Sequence, residues 1–317
     1  PALKGMALTN QKKPVIIGIV GDSGAGKTTF AAGLVHVLGP ERTASICIDD
    51  YHRYSRADRA GMDITPHDPA CNYVDILEQH VDLLRDGQPI LKPVYNHHGG
   101  RLEPPEYVVP KDFIVLEGLL GYATPRLRDC FDVKFYMEPQ EELRIRWKYQ
   151  RDTGVGGYTA AEFAASLPLL NRDSALHIAP QRAYADMIVG FYPPDEAPEE
   201  SGARLNVRHI LRPTLPYLDL APLLEVGADK GFDLELARDI DGRPVDALLI
   251  SGTADGERSE EMEAYLWSLL PNGDARPEAI GQFIDAKGST RHSHSLALSQ
   301  LVATHYLLNA ALGENAV

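Results

Sequence analysis

The sequence is short of cysteine, of net positive charge and of long apolar runs, and each shortage removes a class of protein. Cys47, Cys71 and Cys130 are its three thiols. An odd number without metal-ligand spacing argues against a disulfide framework and for reduced thiols. Lysine and arginine total 31 against 45 aspartate and glutamate, a formal charge of −14. That balance disfavours a nucleic-acid or anionic-membrane surface. It leaves room for a phosphorylated small substrate, because a few arginines focused in a cleft bind phosphate on an acidic protein. No apolar run reaches the roughly 20 residues needed to cross a bilayer. A charged-then-apolar leader is also missing, so a cytoplasmic location is expected. There is no internal repeat and no low-complexity tract.

What remains is an ordinary globular composition, 44% hydrophobic and 24% charged over 317 residues. Residues 14–20 form an almost continuous apolar strand, the pattern of a parallel strand covered on both faces. A helix is expected over 28–38, ended by Gly39-Pro40, then a strand over 44–48 and a helix over 75–86. Strands at 113–116, 133–137 and 187–191 alternate with helices at 139–151 and 160–170. The alternation predicts an α/β fold, a doubly wound, mostly parallel sheet with helices on both faces. Beyond a Pro- and Glu-rich loop at 193–202 the pattern turns more antiparallel, with strands at 205–211, 232–240 and 246–251. Helices are expected at 259–270, 277–285 and 295–312. The organisation is therefore a tail over 1–13, an α/β core over 14–194, and a portion over 195–317 that completes the same domain.

The first strand runs into Gly21-Asp22-Ser23-Gly24-Ala25-Gly26-Lys27-Thr28, a Gly-x4-Gly-Lys-Thr pattern set between a strand and a helix. Its glycines let backbone N–H groups converge on phosphate oxygens, helped by the positive end of the following helix. The nucleotide site therefore spans Gly21 to Thr29. In it Lys27 neutralises the β and γ phosphates of ATP and the Thr28 hydroxyl ligates Mg²⁺. An Asn-Lys-x-Asp base-reading segment is missing, which disfavours a GTPase. The acceptor residues must separate an ATPase from a small-molecule kinase.

A second cluster, Asp49-Asp50-Tyr51-His52-Arg53-Tyr54-Ser55-Arg56, follows the 44–48 strand and so projects from its carboxyl edge, where ligands bind in open α/β sheets. Two carboxylates, an imidazole and two arginines put a base and a phosphate clamp in one place. Lys148, Arg151 and Asp152 stand at i, i+3 and i+4, on one helix face, as either a functional group or a salt-bridged helix end. Tyr95, Asn96, His97 and His98 are substrate contacts or turn residues. A zinc site on the paired histidines is disfavoured because no Cys or acidic partner has suitable local spacing. Arg172 and Arg182 are either contacts to nucleotide phosphates or isolated surface arginines.

Together these segments resemble the phosphoribulokinase/uridine kinase family, on its plant, cyanobacterial and archaeal branch. The resemblance rests on the glycine-rich loop followed by Asp49-Asp50-Tyr51-His52, then Asp68-Pro69-Ala70-Cys71-Asn72-Tyr73 and Lys92-Pro93-Val94-Tyr95-Asn96-His97. It continues through Leu116-Glu117-Gly118-Leu119, Trp147-Lys148-Tyr149-Gln150-Arg151-Asp152 and Pro180-Gln181-Arg182. It implies transfer of the ATP γ-phosphate to the 1-hydroxyl of ribulose 5-phosphate, with Mg²⁺. By the same resemblance Asp49 is the base, Glu117 helps hold Mg²⁺, and Asp152 belongs to a second catalytic group with Lys148 and Arg151. His52, Arg56, Tyr95 and His97 are contacts to a phosphosugar. A homodimer is implied as well.

Two departures bear on the acceptor. Gly156 stands where the family carries a phosphate-gripping arginine, and Leu120 where it tends to carry histidine. The acceptor could therefore be another pentose or pentulose phosphate, a nearby sugar, or a nucleoside as in uridine kinase. Arg53, Arg101 or Arg126 could supply the lost charge. Ala25 occupies the position of the redox-active cysteine of plant-type enzymes, so no thiol switch is expected there.

Overall fold

The computed structural model describes residues 13–154, 156–195, 202–214, 219–227, 231–271 and 276–312. The expected tail, Lys13 apart, and the middle of the 193–202 loop lie outside the described residues. The first half runs β1 (Val15–Gly21), α1 (Lys27–Leu38), β2 (Thr43–Cys47), α2 (Val74–Arg85), β3 (Ile90–Asn96), β4 (Arg101–Val108), β5 (Phe113–Gly118) and α3 (Pro125–Cys130). Then come β6 (Val133–Met137), α4 (Glu141–Gly154), α5 (Ala160–Asp173), β7 (Met187–Tyr192), β8 (Asn206–Leu211) and α6 (Ala221–Gly227). The chain continues with β9 (Phe232–Arg238), β10 (Pro244–Ile250), α7 (Gly256–Leu269), β11 (Gln282–Ile284), β12 (Thr290–His292) and α8 (His294–Leu312).

All seven residues of β1 are buried, as an unbroken apolar strand demands. It lies inside one sheet of order β2-β5-β1-β6-β7-β8-β10-β9. The strands from β2 to β7 pair in parallel, whereas β8, β10 and β9 join antiparallel. This is the expected mostly parallel sheet with an antiparallel addition.

Alternate residues of β1 feed two cores. Val15, Ile17 and Ile19 pack with Phe30 and Leu34 of α1 and Leu298 and Leu301 of α8. Ile16 and Val20 pack with Leu77 and Val81 of α2 and Leu127 of α3 on the other face. The approach of α8 to α1 is close: a Cβ on Gly33 would meet the Gln300 amide at about 2 Å. A side chain there would displace the Gln300 amide.

A buried ion network ties the added strands to the parallel part. Asp239, just past β9, accepts from Arg182 Nη1 at 2.6 Å and from Arg212 Nε at 3.0 Å, and Arg182 Nε reaches Glu138 at 2.6 Å. Burial works against the Asp239 charge, but the hydrogen bonds from Arg212 and Arg182 outweigh it and hold its carboxyl below the usual range. Arg182 is therefore a structural residue, neither a nucleotide contact nor an isolated surface arginine.

The helix expected over 277–285 is absent. In its place lies the β11–β12 hairpin, entered through Gly281 at φ 76, a left-handed conformation that ends a helix and favours glycine.

Candidate active site

The strand order β2-β5-β1 brings three carboxyl ends side by side. In the register Glu117 of β5 lies across from Ile19 of β1 and Cys47 of β2. The glycine-rich loop, the Asp49 segment and Glu117 therefore open onto one edge, the expected binding crevice of such a sheet.

The loop is shaped by Gly24 and Gly26, both at positive φ (83° and 86°). A Cβ on Gly24 would meet Lys148 Cβ at 2.8 Å, so α4 presses directly on the loop. Lys27 is buried, and its ammonium donates to the Asp22 carbonyl at 3.0 Å. Thr28 Oγ1 donates to Glu117 Oε1 at 3.1 Å. Burial pushes the Glu117 carboxyl up, Lys27 pulls it back, and the nearby Asp49 charge raises it again, leaving it above the usual range. Two carboxylates that repel one another beside a hydroxyl form a hard-oxygen donor set that suits Mg²⁺.

Asp49 and Asp50 divide cleanly. Asp50 is buried; its oxygens accept from Lys92 and from the Tyr95 amide, so it fastens β3 to the sheet edge. Asp49 Oδ1 accepts the Leu119 amide at 2.9 Å, which fixes the carboxyl. Among the hydrogen bonds of the described residues Oδ2 takes none, leaving it available to a ligand. Cys47, Asp50 and His97 do offer ligand atoms within 4.8 Å of one another, though Asp50 is already committed to Lys92 and Tyr95.

His52 is buried and its Nδ1 pairs with Asn72 Oδ1 at 2.6 Å. Its ring lies edge-on to Tyr95 (4.8 Å between centroids) and His97 (5.9 Å). Burial, opposed by Asp49 and reinforced by Arg59 and His97, brings its pKa down to about 4. It is neutral at physiological pH.

Arg56 donates to the carbonyls of His97 (3.0 Å) and Gly156 (3.3 Å) and stacks on Tyr158 at 4.3 Å. Arg59 donates to Tyr95 Oη at 3.1 Å. The Nε atoms of both arginines are buried without a hydrogen-bond partner among the described residues, which is costly unless a ligand satisfies them. Arg59 was not singled out from the sequence. Its only signal there is the spacing Arg53, Arg56, Arg59 within a loop.

The three arginines nominated to supply the lost charge each have a partner in the structure. Arg53 is held by the Asn72 carbonyl and stacked on Tyr73, Arg101 pairs with Glu103, and Arg126 pairs with Asp82. A side chain on Gly156 would meet the Asp152 carbonyl oxygen at 2.7 Å, so this backbone leaves no room for an arginine there. Leu120 is buried beside Leu119 and Ile178. Arg172 is spent on Asp63 and Asp173, so it neither reaches the loop nor stands isolated.

On α4, Lys148 Nζ lies 2.5 Å from Asp152 Oδ2, and Arg151 reaches Asp152 Oδ1 and Ser23 Oγ, the latter at 2.9 Å. Burial opposes the Asp152 charge, but Arg151 and Lys148 hold its carboxyl low. The three residues thus share one face against the loop. Behind it Asp22 accepts from Ser174 Oγ at 2.6 Å and faces Arg144 and buried His67.

Residues 16–196 match the Phosphoribulokinase / Uridine kinase family. A phosphoribulokinase of Synechocystis is 36% identical over 69% of the chain, and a chloroplastic phosphoribulokinase of Arabidopsis thaliana is 32% identical over 70%. The matches span 66% and 60% of those proteins, under two thirds of either. The solved phosphoribulokinase from Rhodobacter spheroides superimposes with a TM-score of 0.59 at 18% identity, over 82% of this chain and 96% of that one, a likeness of fold.

Proposed function

We propose, from the premise that the chain belongs to the Phosphoribulokinase / Uridine kinase family, that it transfers the γ-phosphoryl group of ATP to the 1-hydroxyl of ribulose 5-phosphate. The single observation that carries this choice of acceptor is the pair of buried Nε atoms of Arg56 and Arg59, unpartnered among the described residues, with the Arg59 charge acting on the same His52 ring as the Asp49 charge. A sugar phosphate satisfies such a pair with charge-assisted hydrogen bonds. An unphosphorylated nucleoside does not.

In the reaction Asp49 takes the proton of the 1-hydroxyl as that oxygen bonds to the γ-phosphorus. The bond from the γ-phosphorus to the bridging oxygen breaks, and ADP leaves with ribulose 1,5-bisphosphate as the other product. Lys27 neutralises the β and γ phosphates from within the loop. Thr28 and Glu117 would hold Mg²⁺ or its water shell, and that ion supplies charge neutralisation along the triphosphate. Lys148 and Arg151, kept in place by Asp152, add positive charge beside the loop. His52, neutral at working pH, Tyr95 and His97 orient the sugar, and Arg56 and Arg59 grip its 5-phosphate. Gly156 favours one second acceptor, a related pentulose or pentose phosphate.

A cytoplasmic homodimer also belongs to the proposal. Three free thiols fit a reducing compartment. Edge strand β9 carries Leu236, 90% exposed, on a side open to a second copy. Among the described residues no helix is long and apolar enough to cross a membrane.

The test is ADP release with Mg²⁺-ATP against ribulose 5-phosphate, other pentose phosphates and uridine. Turnover is expected with ribulose 5-phosphate and none with uridine. Turnover with uridine alone would remove the proposal.

A further inference from the structure

A cavity of about 680 Å³ opens beside the phosphate loop, and neither Asp49 nor Glu117 lines it. Its walls are loop residues 24–29, Trp147 and Arg151 of α4, and the tip of the β11–β12 hairpin around Ile284 and Lys287. We propose that this cavity takes the base and ribose of the nucleotide between Trp147 and Ile284, so that the C-terminal hairpin sets nucleotide affinity. This rests on ATP phosphates lying in the loop, and its hairpin residues, Ile284 and Lys287, lie outside the family-matched segment 16–196.

Several observations point there. A triphosphate seated on the loop must continue into space contiguous with it, and this cavity shares six loop residues, Gly24 to Thr29. Its volume lies in the range that holds small-molecule ligands. Trp147 touches the loop: a Cβ on Gly26 would lie 3.7 Å from its ring. Its indole is oriented by an edge-on contact with Phe191, 6.4 Å between centroids. A flat aromatic wall beside a phosphate site is what base stacking needs.

The hairpin is held at a fixed distance from the loop. Buried Gln300 donates to the Thr29 carbonyl at 3.2 Å and accepts the Gly281 amide at 2.8 Å, so one side chain joins the loop helix to the hairpin entry. At the tip, Asp285 accepts the amides of Lys287 and Ser289, each at 2.9 Å, and Arg291 Nε at 3.0 Å. Ile284 lines the cavity yet is 65% exposed, an apolar side chain that a base would cover.

The experiment compares two ligands by calorimetry, ATP and inorganic tripolyphosphate, which carries the phosphates without base or ribose. Trp147→Ala should weaken ATP about tenfold. Ile284→Ser, whose exposed position cannot disturb the core, should weaken it about threefold. Tripolyphosphate should bind both variants as it binds the wild type. Lys27→Ala should weaken both ligands, which marks the phosphate-loop reading separately. Unchanged ATP affinity in Ile284→Ser, or an equal loss for ATP and tripolyphosphate, would overturn the base site and leave the loop reading standing. A wild-type chain that binds neither ligand would overturn both.

Discussion

At the carboxyl ends of β2, β5 and β1, buried polar groups keep bonding capacity in reserve. Lys27 spends one hydrogen bond on a carbonyl, Glu117 is raised by burial beside Asp49, and two guanidinium Nε atoms have no partner among the described residues. Across the same sheet, where β8, β10 and β9 run antiparallel, the buried charge of Asp239 is spent completely on Arg182 and Arg212. The carboxylate of Asp239 is as buried as the groups at the first edge and is fully paired, although Arg208 Nε and His209 Nδ1 on neighbouring β8 also lack partners among the described residues. A buried group with unmet bonds costs stability and is retained where a ligand completes it. A fully paired one holds elements together. The first region should therefore lose rate on mutation and the second should lose stability.

The largest expected effect lies in the first. Asp49→Asn should slow phosphoryl transfer by about 10³-fold, in the range of general-base loss, while ATP binding stays within twofold. Single-turnover transfer and calorimetry measure the two. A comparable loss of melting temperature would erase the contrast. In the second region Asp239→Ala leaves Arg182 and Arg212 buried without their anion and should cost about 3–5 kcal/mol. Melting should fall by roughly 10 °C, with kcat of the folded fraction unchanged.

Smaller effects sharpen the contrast. Arg59→Ala should raise the KM for the sugar phosphate between about tenfold and a hundredfold, the worth of a charged hydrogen bond, with kcat changed much less. Equal effects on an unphosphorylated sugar would remove Arg59 from the phosphate site. Glu117→Gln should stabilise the Mg²⁺-free protein. The direction follows from the raised carboxyl: between the unfolded value, near 4.5, and the raised one, the folded state binds more protons than the unfolded state. Wild-type stability should therefore fall as pH rises from about 4.5 through the raised value, and the variant should flatten that part of the melting profile.

The contrast also explains what could be read from the sequence. Parallel strands such as β1 announce themselves as unbroken apolar runs, and their ends carry the loop, Asp49 and Glu117 in motifs of fixed spacing. The antiparallel strands showed in the sequence, but Asp239 did not stand out, because its partners lie 57 and 27 residues away. Arg59 sits among charged loop residues that look solvated. The β11–β12 hairpin is not legible, because three-residue strands are too short to show a period of two, and Gly281 falls within the expected 277–285 helix. The sequence leaves Tyr95 and His97 as contacts or turn residues, because the β3–β4 hairpin that carries Tyr95 and places His97 is not legible in it.

The identity and position of the transferred group bear on the function most directly. Phosphorus NMR of the product formed from ribulose 5-phosphate and ATP should show two phosphomonoester resonances of equal intensity, the new one coupled to the protons of C1. ADP formed with inorganic phosphate alone, or a new ester on any other oxygen, would contradict the proposed transfer to the 1-hydroxyl.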